Sequence, residues 1–347
     1  MRWALVVLIA IFLNTVPVSI ALAPAAPSPL IDLASPEAVL RWINAYRSKP
    51  DPAGVPAVMK ALSRLGAFKD PETSGAYVGF MAGVIAANPR RAEELIAKMF
   101  PLPDADQWAL VRAIVYSGHP EWKVLLRKFA VRMPSRQVMI DKYLSGKLPT
   151  LYQVSFDSKS STWGTVRSYV TFSKQLEKEV ALEPGPELLD TYWGVYFANA
   201  TYRPISRIIM MTAWSKDDNS VEKLTLGSMA KYTLASNATR DASLLAMLKS
   251  AREHHPKVVA ILNEVIEAAE TVETAKLRKE ALASIEELRR KGPGYKRSVS
   301  LWGQVGQGAL ALGCIAAAAV GQVELGLPCV VAGGLSSAAL SYWNGQQ

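Results

Sequence analysis

Apolar residues recur at helical spacing over most of the chain between Ser35 and Arg290. Val39, Leu40, Ile43 and Tyr46 share one face, and so do Trp122, Leu125, Leu126 and Phe129. A spacing of three and four predicts amphipathic helices that bury their apolar stripe. The starts are punctuated. Ser35-Pro36-Glu37 supplies a cap, a first-turn proline and an acid where the helix dipole favours one. Asp70-Pro71-Glu72, Asn88-Pro89 and His119-Pro120-Glu121 repeat this form. Asp104 and Gln107 have capping-box spacing, and Ser135 is placed to cap a segment that stops near Gly146. Residues 35–146 thus read as about seven helices, joined by short connections that favour antiparallel neighbours. Two helices per unit give a period of about 32–36 residues, the size range of helical repeats. The expected fold is all-α: an irregular antiparallel array, HEAT-like in its spacing.

Residues 147–185 differ. Leu151-Tyr-Gln-Val-Ser-Phe156 alternates apolar and polar positions, which predicts a short strand. A polar loop over Asp157–Thr162 and a helix over Trp163–Leu182 follow. Pro184-Gly185-Pro186 is a strong breaker and the expected boundary between two helical regions. The second region, residues 186–297, opens with Leu188, Leu189, Tyr192, Trp193, Tyr196 and Phe197 on one stripe. Pro204 is expected to start another helix, followed by helices over Val221–Leu234, Ser236–Arg252 and Pro256–Lys291.

Leu189-Asp190-Thr-Tyr-Trp193-Gly194-Val-Tyr-Phe197-Ala198, Pro204-Ile205-Ser-Arg207-Ile208-Ile209, Ala235-Ser236-Asn237-Ala238 and His255-Pro256-Lys-Val258 form a further pattern. Together they resemble uncharacterised exported bacterial helical proteins over residues 185–265. The resemblance implies an all-helical structure in a bacterial envelope setting and no known activity.

Both ends are apolar. Arg2, the run Ala4–Leu13 and the small residues of Ser19-Ile20-Ala21 predict a signal peptide over residues 1–21, cut after Ala21. An uncleaved anchor is the alternative. Residues 22–34 are proline-rich and read as a stiff linker. Beyond Arg297 the only charge is Glu324. Leu301–Gly321 as a helix would span about 31 Å, close to a bilayer core. Leu327–Trp343 would be the shortest acceptable second span. Small residues recur every four positions at Ala309, Gly313, Ala317 and Gly321, a close-contact pattern. Residues 298–347 are therefore expected to form a Gly/Ala-rich helical hairpin. Its environment stays open between a membrane contacted through residues 299–343, a buried soluble core and a stored, insertable hairpin. The basic cluster Arg289–Arg297 precedes it and, after export, opposes the positive-inside tendency. Cys314 and Cys329 would face each other across its turn. In an oxidising compartment a disulfide there is expected, worth about 3 kcal/mol on the chain-entropy model.

Charge adds a bias without a motif. Residues 35–149 hold 17 basic and 10 acidic side chains of a chain whose formal net charge is +9. Such a surface attracts anions, but no zinc-finger spacing, helix-turn-helix or aromatic–basic RNA motif accompanies it, so no nucleic-acid partner is expected. The three histidines, His119, His254 and His255, stand at no metal-ligand spacing, and no metal or cofactor is implied. Ser228-Met-Ala-Lys231 is the one catalytic pattern, a serine and an amine within one helical turn. It resembles the first motif of penicillin-recognising hydrolases, but the Ser-Asp-Asn and Lys-Thr-Gly partners are missing. Arg203 and Arg207, one turn apart beside Trp193 and Tyr202, form a candidate anion-binding groove. The expected function is an exported, membrane-tethered binding or scaffold protein of the bacterial envelope, with an unknown protein or anionic ligand. The alternatives are a membrane-active secreted effector and a Ser/Lys hydrolase.

Overall fold

The computed structural model describes residues 33–71, 73–154, 185–218 and 220–271, together with residues 279, 280, 283 and 287. All of them belong to one compact unit, Asp32–Gln347. The expected signal peptide, most of the linker, the helix over 163–182 and the C-terminal hairpin with Cys314 and Cys329 lie outside the described residues.

The described residues are all-α. The first region contains α1 (Pro36–Tyr46), α2 (Val55–Arg64), α3 (Gly75–Ala87), α4 (Ala92–Met99), α5 (Gln107–Tyr116), α6 (Trp122–Ala130) and α7 (Gln137–Leu144). The second contains α8 (Pro186–Asn199), α9 (Tyr202–Met211), α10 (Val221–Ala238), α11 (Ala242–Ala251) and α12 (Val259–Thr271). Among the described residues no helix is long and apolar enough to cross a membrane.

The local chemistry explains most starts. Ser35 accepts a hydrogen bond from the Ala38 N–H at 3.2 Å, with Pro36 at the first helical position. Asn88, Met133 and His255 each precede a proline and take nearly the same backbone conformation, φ between −125° and −132° and ψ between 53° and 63°. The proline ring keeps the preceding residue out of the α region. Each then opens a short 3-10 turn, Pro89–Arg91, Pro134–Arg136 or Pro256–Val258, that leads into α4, α7 or α12.

Several boundaries differ from expectation for visible reasons. The helix expected at Asp70-Pro71 begins at Gly75, because Ser74 donates back to the carbonyls of Ala67 and Asp70 and holds a turn there. Ser135 caps no helix; its hydroxyl donates to the Gln107 side chain at 3.2 Å. Gln107 and Asp104 do meet, side chain to side chain at 2.9 Å, but over the 3-10 turn that precedes α5. The break expected before Ser236 falls instead at 239–241. Asp241 caps α11 through the N–H groups of Ser243 and Leu244, both at 3.1 Å, while α10 runs on to Ala238. The strand expected from Leu151 is not formed over the described part of it; residues 151–153 make a turn. The carbonyls of Leu151 and Val154 accept from side chains. Tyr192 donates its hydroxyl to Leu151 O at 2.9 Å, and Arg207 donates to Val154 O.

The centre of the fold is a helix pair from the two regions. α3 reads Gly-Ala-Tyr-Val-Gly-Phe-Met-Ala-Gly-Val-Ile-Ala-Ala, with no charge and no polar side, and is buried from Gly75 to Ile85. A helix apolar all round belongs inside. α8 is equally enclosed, buried from Leu188 to Ala198. Glycines let the two backbones touch. A Cβ on Gly79 would lie 2.0 Å from Thr191 O, and one on Gly194 would lie 2.2 Å from Ala76 O. A Cβ on Gly75 would lie 2.1 Å from Glu187 O, and one on Gly83 would lie 2.6 Å from the Ala198 Cβ and 2.8 Å from Val195 O. These neighbours advance in step along both helices, so α3 and α8 run parallel. A parallel pair requires a long connection, which α4–α7 supply.

Around this pair the apolar faces close one continuous core with residues from both regions. Trp42 and Tyr46 of α1 stack edge-on against Phe80 of α3, with ring centroids 5.7 and 5.0 Å away. Arg47, just past α1, meets Asp241 Oδ2 at 2.6 Å and lies over the Tyr196 ring at 4.9 Å. Tyr196 donates to the same oxygen at 2.6 Å. One carboxylate thereby ties α1, α8 and α11 together.

Candidate functional site

The predicted groove residues sit around the corner between α8 and α9. α8 ends at Asn199, and Ala200 takes a left-handed conformation, φ 53°. Asn199 Oδ1 then accepts from the Thr201 N–H at 3.1 Å and from its hydroxyl at 2.9 Å. This fixes the direction in which α9 leaves. Ile205, Ile208, Ile209 and Met211 of α9 are buried, so Tyr202, Arg203, Ser206 and Arg207 fall on its outer side and margin.

The four predicted residues divide into three settings. Arg203 lies over Tyr152, its guanidinium carbon 3.8 Å from the ring centroid. Arg207 donates to Val154 O and, at 3.4 Å, to the Tyr192 hydroxyl. Both arginines therefore fasten the 151–154 turn to α8 and α9. Burial pushes the Tyr152 phenol up to about 12, even with the Arg203 charge beside it pulling the other way. Trp193 does not line a groove. It is fully buried, and its indole N–H donates to Thr233 Oγ1 on α10 at 3.1 Å. Tyr202 faces elsewhere again. Its hydroxyl stands 2.8 Å from His255 Nε2, with Ser206 Oγ at 3.5 Å from the same nitrogen. Burial, and then the neighbouring His254, push the His255 pKa below its ordinary value.

Ser228 and Lys231 lie on α10 as their spacing predicts. Ser228 is buried. The Lys231 amine is bonded to Glu264 Oε2 on α12, and Lys216 lies 3.9 Å from the other oxygen of that carboxylate. The partner of the amine is thus a carboxylate that fastens α10 to α12. Of the histidines, His119 is structural. Its Nδ1 accepts from the Glu121 N–H at 3.0 Å, and its Nε2 lies 3.3 Å from Pro89 O. Among the described residues no three His, Cys, Asp or Glu side chains gather as a metal site.

One surface went unremarked in the sequence. On α6 the buried face holds Leu125, Leu126 and Phe129. Val124, Arg127, Lys128 and Val131 occupy the opposite face at the same i, i+3, i+4, i+7 spacing, and all four are exposed. The spacing of these residues is in the sequence, but the inward stripe shares the same period and is the more apolar of the two.

Compared with known proteins, the chain matches no family model, no curated protein and no solved structure.

Proposed function

We propose that the chain is an exported helical binding or scaffold protein of the bacterial envelope, held at a membrane by residues 299–343. The observation that carries this reading is the use made of the chemically suggestive side chains. Lys231 is engaged by Glu264, Arg207 by a backbone carbonyl and a tyrosine, and Trp193 by Thr233. Each joins helices to one another. A rigid helical body whose polar groups serve packing acts through its surface. The envelope setting draws support from the signal-like N-terminus, and the tether from the nearly charge-free stretch beyond Arg297. The spacing of helix starts supports a repeat-like array, and Cys314 with Cys329 would staple the tail.

Fractionation with a carbonate wash tests the reading. The full chain is expected to stay with the membrane pellet, and a chain ending at Lys296 is expected to be released in folded, soluble form. Release of both forms, with the shorter one aggregated, would mean that the tail is core and that the tether does not exist.

A further inference from the structure

Five large apolar side chains are exposed among the described residues, and Val124, Val131 and Val138 are three of them, at 56%, 82% and 53% exposure. Single exposed valines are ordinary. Here the setting is not. Val124 on the outer face of α6 and Val131 at its C-cap stand two turns apart, with Arg127 and Lys128 between them. Lys123 and Arg132 flank this face and are also exposed. Residues 119–147 hold seven basic side chains, of which Arg136 is buried against the Asp104 and Ala105 carbonyls, and two acidic ones, Glu121 and Asp141.

Lys123, Arg127, Lys128 and Arg132 are exposed, and three of them also have neighbours. Lys128 reaches Glu93 of α4 at 2.6 Å, in an exposed pair that salt and water weaken. The Arg132 guanidinium packs 4.1 Å over the Phe100 ring, and Lys123 lies 5.6 Å from the Trp122 ring. Their cationic ends thus sit over aromatic faces at the rim of the valine stripe. α7 packs on α6 and leaves Val138 exposed as well.

We infer that the outer face of α6 docks on an anionic lipid surface, with Val124 and Val131 entering the headgroup–acyl boundary and Lys123, Arg127, Lys128 and Arg132 contacting lipid phosphates. Basic residues beside apolar ones on a single exposed helical face give both attractions that bind helices to such interfaces. The charge of the face is complementary to anionic headgroups, and its apolar residues need a target with an apolar layer behind the charge. An acidic protein supplies the first without requiring the second. This docking adds to the proposed tether and does not depend on it, because a tail inserted in a bilayer is indifferent to lipid charge.

The test adds the full chain to preformed phosphatidylcholine vesicles, with and without about a third of phosphatidylglycerol. Binding is expected to be stronger on the anionic vesicles and to weaken in high salt. Lys123→Glu combined with Arg127→Glu is expected to reduce binding to the anionic vesicles by about thirtyfold or more and to leave binding to neutral vesicles unchanged. Val131→Ser, at a side chain open to water, should weaken anionic-vesicle binding without altering the thermal melt. Equal binding to both vesicle types, or unchanged binding by both variants, would overturn the assignment and leave any association to the tail. Indifference to the anionic vesicles, with binding of polyglutamate through Lys123 and Arg127, would also overturn it, in favour of an acidic protein partner.

Discussion

Gly79→Ala is expected to destabilise the protein by about 3 kcal/mol or more, and Gly79→Leu to prevent folding. The sign is the informative part. In the middle of a helix, alanine is ordinarily better than glycine by about 1 kcal/mol, so propensity alone predicts a gain. At this position the first atom that alanine adds would lie 2.0 Å from the Thr191 carbonyl oxygen. That oxygen is backbone within a buried helix and has no rotamer by which to withdraw. Either α3 and α8 part, and the packing around them loses contact, or the chain does not close. Because Gly194 presents its own missing side chain to Ala76 and Phe80, the opposite helix cannot absorb the strain there. Urea unfolding of Gly79→Ala beside the parent chain measures the effect. A loss below about 0.5 kcal/mol, or a gain, would mean that the two backbones do not approach this closely.

Asp241→Ala ranks second, with an expected loss of about 3 kcal/mol. The change removes three things together. It uncaps α11, leaving the Ser243 and Leu244 N–H groups without their acceptor. It deprives the Tyr196 hydroxyl of its partner, and it leaves the Arg47 guanidinium, only 31% exposed, without its carboxylate. Asp241→Asn separates the parts, since asparagine caps a helix about as well as aspartate but carries no charge. It should lose clearly less than the alanine variant. The pair also predicts a pH dependence. Burial pushes the Asp241 carboxyl up, but the Tyr196 and Arg47 hydrogen bonds and the Leu244 N–H outweigh it and hold the pKa below the usual aspartate value. A carboxylate held low in the fold stabilises above its ordinary pKa and loses that contribution as pH falls through its folded value. The stability gap between the parent and Asp241→Asn should therefore be full near neutrality and shrink on acidification below about pH 4. Thermal melts across that range measure it. A gap that stays constant down to strong acid would mean that the carboxylate charge contributes nothing.

How far the sequence could be read depended on the distance of the partner. Starts set by local chemistry, such as Ser35-Pro36, Asn88-Pro89 and His255-Pro256, fall where caps and prolines place them. Some that failed were decided nearby, as where Ser74 holds a turn on Ala67 and Asp70, and others by residues distant in the chain. Ser135 bonds Gln107 instead of its own helix, and the apparent strand at Leu151 is held as a turn by Tyr192 and Arg207. The Pro184-Gly185-Pro186 breaker does precede a helix, α8, yet that helix packs deep in the first region. The Gly75-x-x-x-Gly79-x-x-x-Gly83 run was visible, but spacing alone does not say which helix will approach it. The candidate groove was less legible for a similar reason. Helical spacing put Trp193 near Arg203 and Arg207 without revealing that it turns inward to Thr233, because the stripe on α8 is buried on every side. Ser228 and Lys231 share a turn as their motif requires, but the carboxylate that engages the lysine lies 33 residues on.

The joining of both halves into one core through α3 and α8 is tested most directly by pulsed hydrogen exchange along a urea titration, read peptide by peptide. Amides of α5, from the first region, and of α10, from the second, are expected to lose protection with one shared midpoint. Two separated midpoints, with α10–α12 opening while α5 stays closed, would contradict it.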